Sequence, residues 1–198
     1  MTELEFRALA AQGYNRIPLI AESFADLETP LSLYLKLANQ PNSYLLESVV
    51  GGERFGRYSF IGLPARTQLR AWIGAAGEHR TEVVIDGRVV REERGDPLAF
   101  IENYLAQFKV AVRPGLPRFC GGLAGYFGYD TVRLIEKKLA RPKPDDLGLP
   151  DIHLLLTEEL AVIDNLAGRA YLIVYGDGKH PEGFTRARER LRELRARL

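Results

Sequence analysis

Several short segments of the chain alternate apolar and polar residues, which is the pattern of half-buried β-strands. The clearest case is a hairpin in which strand patterns at residues 81–85 and 88–91 flank Asp86-Gly87. Asp-Gly supplies the positive φ angles that a two-residue hairpin turn needs. Further strands are predicted at residues 44–50, 58–61, 67–73, 153–156, 159–163 and 170–175.

Helical spacing of apolar residues marks segments near both termini and between the strands. Helices are expected at residues 3–12, at residues 131–138 and from about 181 to the end. Thr29 and Asp96 are each followed by a proline, the order of an N-cap and a first helical residue, so two more helices should begin there. Their expected buried stripes are Leu31, Tyr34, Leu35 and Ala38 in one, and Leu98, Ile101, Leu105 and Phe108 in the other.

The order of these elements predicts the fold class. Strands and helices do not alternate regularly, which argues against a doubly wound parallel sheet. We therefore expect an α+β fold with mixed or antiparallel sheets and flanking helices. With 198 residues, 46% hydrophobic and 27% charged, the chain has the composition of a globular protein and is interpreted as a single domain over residues 1–198.

Charge and cysteine content exclude several classes of function. Lys plus Arg number 27 against 26 Asp plus Glu, and so balanced a charge predicts neither a nucleic-acid nor a membrane partner. Cys120 is the only cysteine, which rules out an internal disulfide. The N-terminus lacks a basic segment followed by an apolar one, so we expect a cytoplasmic location. The three histidines are far apart in the sequence, so we do not expect a metal site.

The glycine-rich segment 121–128 first suggests a phosphate-binding loop. Its spacing matches neither the Walker motif nor Gly-x-Gly-x-x-Gly. The favoured interpretation is structural, namely a strand or bend where another backbone packs closely.

Two polar clusters are the best candidates for ligand binding. Glu47 and Ser48 directly follow the apolar residues of a predicted strand, so they could bind an ammonium group and form a hydrogen bond. The alternative is an ordinary strand with Glu47 in solvent. The second cluster, Arg57-Tyr58-Ser59, would lie beside the first if the chain reverses at Gly51-Gly52; the alternative is a cross-strand pair on a sheet face.

These segments resemble the N-terminal region of the anthranilate synthase component I family. The resemblance covers essentially the whole chain, and its blocks occur in the family's order. The blocks are Tyr44-Leu-Leu-Glu-Ser, Gly56-Arg-Tyr-Ser-Phe-Ile-Gly, Phe119-Cys-Gly-Gly-Leu-Ala-Gly-Tyr-Phe-Gly-Tyr-Asp-Thr-Val-Arg-Leu-Ile-Glu, Pro150-Asp-Ile-His and Val162-Ile-Asp.

The resemblance implies a regulatory and scaffolding N-terminal domain of a longer enzyme that converts chorismate and ammonia to anthranilate and pyruvate in tryptophan biosynthesis. It implies part of a tryptophan feedback site at Leu46, Glu47, Ser48, Arg57, Tyr58 and Ser59. It also implies partners in L-tryptophan, a glutamine amidotransferase subunit and a C-terminal chorismate-binding domain. That domain, which needs magnesium, lies outside these residues. The chain alone is therefore expected to have no cofactor and no catalytic residue.

Two alternatives accompany this interpretation. The corresponding domain of aminodeoxychorismate synthase component I, of the folate pathway, shares much of the same pattern. A stand-alone binding module would also explain why no catalytic constellation is visible in the sequence.

Overall fold

The computed structural model describes residues 1–47, 56–139, 145 and 147–198. The helices in this part of the chain are α1 (Glu3–Ala11), α2 (Pro30–Leu37), α3 (Pro97–Ala106) and α4 (Gly183–Arg195), with short 3-10 helices at Ala75–Gly77, Tyr129–Leu134 and Lys137–Leu139. The strands are β1 (Arg16–Phe24), β2 (Tyr44–Leu46), β3 (Tyr58–Gly62), β4 (Thr67–Trp72), β5 (Arg80–Ile85), β6 (Arg88–Arg94), β7 (Gly122–Phe127), β8 (Ile152–Thr157), β9 (Glu159–Asp164) and β10 (Arg169–Asp177).

The chain divides into two compact units, each built on one sheet. The first unit consists of Met1–Ala65, Phe108–Gly122 and Thr157–Leu198, and the second of Arg66–Gln107 and Leu123–Leu156. The first sheet has the strand order β1-β10-β9-β3-β2 and the second β6-β5-β4-β8-β7. Neighbouring strands pair antiparallel from β1 to β2 across the first sheet and from β6 to β8 across the second. The prediction of an α+β fold is therefore confirmed.

The first sheet is covered on one side by α1, α2 and α4. Their side chains form one core with alternate residues of the strands, among them Phe6 of α1, Leu33 of α2 and Leu194 of α4. We call this the helix side of the sheet. The intervening strand residues form a second, smaller cluster on the other side, where Leu116 and Phe119 of the segment between α3 and β7 pack against them. We call this the aromatic side.

Helix α2 begins as predicted but buries different residues. Thr29 and Ser32 form a capping box, and Pro30 occupies the first turn. The predicted stripe is wrong in part, because Leu33 and Leu37 are buried while Leu31 and Leu35 are exposed. The helix carries apolar residues around most of its circumference, so periodicity alone does not select the side that packs.

Strand β1 was not predicted from the sequence. Pro18 lies in its middle, and a proline argues against a strand because it cannot donate to the ladder. The structure resolves the conflict because β1 is the outermost strand of its sheet; apart from one isolated parallel bridge between Arg16 and Val110, it pairs with β10. An edge strand tolerates proline where the missing N–H would face away from the neighbouring strand.

The second unit confirms the hairpin and corrects two helices. Asp86 and Gly87 both have positive φ, 51° and 77°, as the turn between β5 and β6 requires. Helix α3 begins at Pro97 with an Asp96 cap but buries Phe100 and Ile101 rather than the full predicted stripe. Phe108 lies beyond the helix end. The helix expected at residues 131–138 is instead two 3-10 segments.

The glycine-rich segment forms strand β7, as the structural interpretation expected. A Cβ at Gly125 would collide with the backbone carbonyl of His153, on strand β8. Glycine is therefore required there because two backbones approach closely.

Candidate functional site

The two polar clusters flank one pair of neighbouring strands. β2 pairs with β3 in an antiparallel ladder that places Leu46 opposite Phe60. The chain therefore returns beside the first strand, while the predicted reversal at Gly51-Gly52 lies outside the described residues. Leu46 is the last residue of β2 and is 52% exposed. Glu47 follows it, just beyond the last pair of the ladder, with an exposed side chain. Ser48 lies outside the described residues.

Arg57 is held at the start of β3 by an ion pair with Asp164 at the end of β9. The Arg57 Nη2 to Asp164 Oδ2 distance is 2.7 Å, and Nε lies 3.1 Å from both carboxylate oxygens. Asp164 is 1% exposed, whereas Arg57 is 42% exposed. The guanidinium is therefore anchored by one edge while part of it reaches solvent.

Asp164 also organises the turn that follows it. Its Oδ1 accepts hydrogen bonds from the backbone N–H groups of Leu166 and Ala167, both at 3.1 Å. Burial alone would raise the pKa of Asp164, but the hydrogen bonds from Arg57, Ala167 and Leu166 outweigh it and lower the pKa below its ordinary value. The carboxylate thus stays ionised and keeps Arg57 oriented.

Tyr58 and Leu46 lie on the aromatic side of the first sheet. Opposed residues of a ladder point to the same side, so Leu46 shares its side with Phe60 and, two residues along β3, with Tyr58. The Phe60 ring meets Phe119 edge-on at a centroid distance of 5.4 Å. The Arg57 guanidinium lies 4.9 Å from the Tyr58 ring centroid. At this edge, the aromatic side therefore carries the rings of Tyr58 and Phe60 next to the positive charge of Arg57.

Ser59 points to the helix side and is completely buried. Its hydroxyl accepts a hydrogen bond from Asn165 Nδ2 at 3.2 Å, which gives the side chain a structural part in the turn after β9. Its expected contact with a ligand stays a prediction. Of the six candidate residues, the structure gathers Leu46 and Tyr58 on one side, with Glu47 and Arg57 at the ends of their strands.

Sequence reasoning missed Asp164, Phe119 and Tyr171 as neighbours of this surface. Asp164 and Phe119 occur in quoted motif blocks, but nothing local connects Asp164 to an arginine 107 residues earlier. Tyr171 sits among the strand residues of the aromatic side. The alternation of Tyr171, Ile173 and Tyr175 along β10 is the signal from which a sheet side rich in aromatic residues could have been inferred.

The part of the chain that the structure describes contains no group of three or more His, Cys, Asp or Glu residues arranged to hold a metal ion. Within the same residues, no helix is long and apolar enough to cross a membrane.

Comparison with known proteins gives strong similarities over the whole chain. No family model matches. Anthranilate synthase component 1 of Neisseria meningitidis serogroup C is 56% identical over 202 residues, and that of Pseudomonas aeruginosa is 54% identical over 200 residues. Each match covers 100% of this chain and 40% of the relative. The chain thus spans about two fifths of the length of these curated relatives.

A solved structure supports the fold. The crystal structure of anthranilate synthase component I from Streptococcus pneumoniae TIGR4 superposes with a TM-score of 0.50 at 22% identity, covering 87% of this chain and 36% of that one. At this identity the likeness concerns the fold alone. The sequence relatives carry the further conclusion: the chain matches the N-terminal two fifths of these proteins and belongs to the anthranilate synthase component I family.

Proposed function

We propose that this chain is the tryptophan-sensing N-terminal domain of an anthranilate synthase, which makes anthranilate and pyruvate from chorismate and ammonia in the cytoplasm. The observation that supports it is the similarity of the whole of this chain to part of anthranilate synthase component 1. Catalysis, chorismate and magnesium belong to polypeptide outside these residues, and the ammonia comes from a glutamine amidotransferase partner. The chain alone contributes no catalytic residue.

The effector site lies at the open end of the aromatic side, where β2 and β3 pair. An indole ring needs an apolar, preferably aromatic surface, and Leu46 and Tyr58 supply one. The ammonium group of the amino acid is bound by the exposed carboxylate of Glu47, with Ser48 as a hydrogen-bond partner.

Arg57 supplies positive charge at the same end of the β2–β3 pair, where β2 ends and β3 begins. Its guanidinium is partly exposed although Asp164 holds one edge, so it can attract the carboxylate of a zwitterionic ligand. This arrangement places a cation, an apolar surface and an anion in one stretch of sheet edge. Those are the three features that distinguish an aromatic amino acid from indole or from an aliphatic amino acid.

Tryptophan bound at this site inhibits by shifting a conformational equilibrium. A ligand changes the equilibrium between active and inactive arrangements only through a difference in its affinity for the two. Because the rest of the pocket is supplied by the catalytic portion, the bound amino acid contacts both portions in the inhibited arrangement. It follows that the isolated chain binds tryptophan weakly.

The test is a tryptophan inhibition curve for the full-length enzyme, with anthranilate identified as the product. Glu47→Ala and Ser48→Ala should each raise the tryptophan concentration for half-inhibition, Glu47→Ala by about tenfold or more because a charge-assisted hydrogen bond is lost. Glu92→Gln, an exposed acid on β6, is the matched control and should leave the curve unchanged.

Three outcomes would contradict the proposal. Unchanged inhibition in both variants would remove Glu47 and Ser48 from the effector site. Formation of aminodeoxychorismate in place of anthranilate would assign the chain to the aminodeoxychorismate synthases instead. Micromolar or tighter tryptophan binding by the 198-residue chain in calorimetry would mean that the pocket is complete within it.

A further inference from the structure

The outer surface of α2 carries exposed leucines in a row. Leu31 and Leu35 are one helical turn apart and are 53% and 55% exposed, and Leu27, in the turn that precedes the helix, is 98% exposed. We call these three residues the outer stripe of α2. Scattered single leucines are ordinary on a protein surface, but apolar residues repeated at helical spacing form a continuous strip that water covers at a cost.

The same helix already buries its opposite side. Leu33 and Leu37 belong to the core on the helix side of the first sheet, so the outer stripe is not needed for packing within the described part of the unit. A helix that is apolar on both sides is typical of one that is enclosed on both sides. The second covering element must then come from outside the described residues.

The end of the chain lies next to α2. Lys36 Nζ is 3.5 Å from the oxygen of Leu198, and the Arg197 guanidinium donates a hydrogen bond to the carbonyl oxygen of Lys36. Lys36 also forms an ion pair with Glu28 along the side of the helix. Lys36 directly follows Leu35 in the sequence, so it lies about 100° around the helix from that leucine, on the flank of α2 between the outer stripe and the packed side. Polypeptide that follows residue 198 therefore begins at this flank of α2, from which the outer stripe can be covered.

We propose that the outer stripe of α2 is the docking surface for the polypeptide that follows residue 198 in the longer protein. The proposal rests on the proposed function, because the curated relatives extend well beyond the 40% of their length that this chain spans. The occupant presents apolar side chains to Leu27, Leu31 and Leu35, since these offer no hydrogen-bonding group. Docking there joins α2, and through it the neighbouring β2–β3 edge, to the catalytic portion.

Cysteine accessibility in the full-length protein tests this directly. Leu31→Cys and Leu35→Cys are compared with Val90→Cys, because Val90 on β6 is 57% exposed and matches them closely. Maleimide labelling of each site is followed by peptide mass spectrometry, which separates it from the native Cys120. We expect Leu31→Cys and Leu35→Cys to react at least about tenfold more slowly than Val90→Cys, as burial under a partner segment requires.

Each outcome decides the question. Equal labelling of all three sites in the full-length protein overturns the proposal, as would a coding sequence that stops at residue 198. Protection that disappears on dilution assigns the stripe to contact with a second copy and overturns it as well. Protection that persists at all concentrations supports it. The proposed function is judged separately: anthranilate formation inhibited by tryptophan, together with unprotected sites, would leave that function standing and the docking surface rejected.

Discussion

The two sides of the first sheet are built from alternate residues of the same strands, yet they differ in how they are covered. At the centre of the sheet the two sides hardly differ in exposure, since Leu172 on the helix side and Ile173 on the aromatic side are both fully buried. At the β2–β3 edge the difference in exposure is large. Ile61 remains buried on the helix side, whereas Leu46 is half exposed on the other.

The difference follows from what lies over each side. Three helices supply a continuous apolar layer on the helix side. The aromatic side is covered by a non-helical segment that brings Leu116 and Phe119 and does not enclose the edge. The helix side therefore contributes the larger buried core, whereas the aromatic side leaves apolar surface exposed at the β2–β3 edge. We expect most of the free energy of unfolding to come from the helix side.

Truncation of adjacent residues on β10 should show the largest contrast. Leu172→Ala should lower the free energy of unfolding by about 3–4 kcal/mol, because it opens a cavity in a fully packed core. Tyr171→Ala should cost about 1 kcal/mol, because the ring is only partly buried. Urea denaturation measures both. Equal losses would mean that the two sides contribute alike and would break the comparison.

The ion pair at the edge of the aromatic side should rank next. Asp164→Ala leaves Arg57 and two backbone N–H groups without their acceptor, so it should cost about 2–3 kcal/mol. Asp86→Asn removes the charge of a bidentate arginine partner at an exposed site while keeping a side chain that tolerates the positive φ of this turn position. It is the control, with a much smaller expected loss. Similar losses for the two would show that burial does not decide the worth of these pairs.

Acid should remove the Asp164 contribution to stability. Its pKa is lowered on folding from an ordinary value of 3.8, so the unfolded state takes up a proton first as the pH falls. The stabilisation is therefore complete above about pH 4 and declines below it, through the lowered folded-state pKa. Asp164→Asn should flatten this part of the stability–pH curve. A variant curve parallel to that of the parent would assign the acid sensitivity to other groups.

Local chemistry explains which parts of this architecture the sequence predicts. Asp86-Gly87, Thr29-Pro30 and Asp96-Pro97 determine a turn and two helix starts through residues adjacent to one another. The glycine pair Gly51-Gly52 predicts a reversal that brings the blocks around Glu47 and Arg57 side by side, and β2 and β3 are neighbouring strands.

Features that depend on distant residues were not predictable. The side on which α2 packs is decided by a sheet whose strands come from both ends of the chain, so its apolar pattern was ambiguous. The partner of Arg57 is far away in sequence, and the inward direction of Ser59 depends on the register of β3 against β9. Pairing register turns each side chain to one side or the other, and no local motif reports it.

A smaller effect is expected from the contact that covers the aromatic side. Phe60 and Phe119 meet edge-on, a geometry worth about 0.5–1.5 kcal/mol beyond buried area. A double-mutant cycle with Phe60→Leu and Phe119→Leu should give a coupling energy in this range. The corresponding cycle for Phe6→Leu and Phe184→Leu, a tilted ring pair in the helix-side core, provides the comparison. No coupling between Phe60 and Phe119 would mean that the segment carrying Phe119 lies over the sheet without stabilising it.

The smallest change in stability is expected at the residue with the largest proposed effect on regulation. Glu47 is exposed at the end of β2, so Glu47→Gln should alter the free energy of unfolding by no more than about 0.5 kcal/mol. The same variant of the full-length enzyme should weaken tryptophan inhibition, because glutamine cannot form an ion pair with the ammonium group. A loss of stability comparable to that of Asp164→Ala would place Glu47 in the structural framework instead. A stable variant with weakened inhibition would locate the effector at the open end of the aromatic side, where little of the folding energy resides.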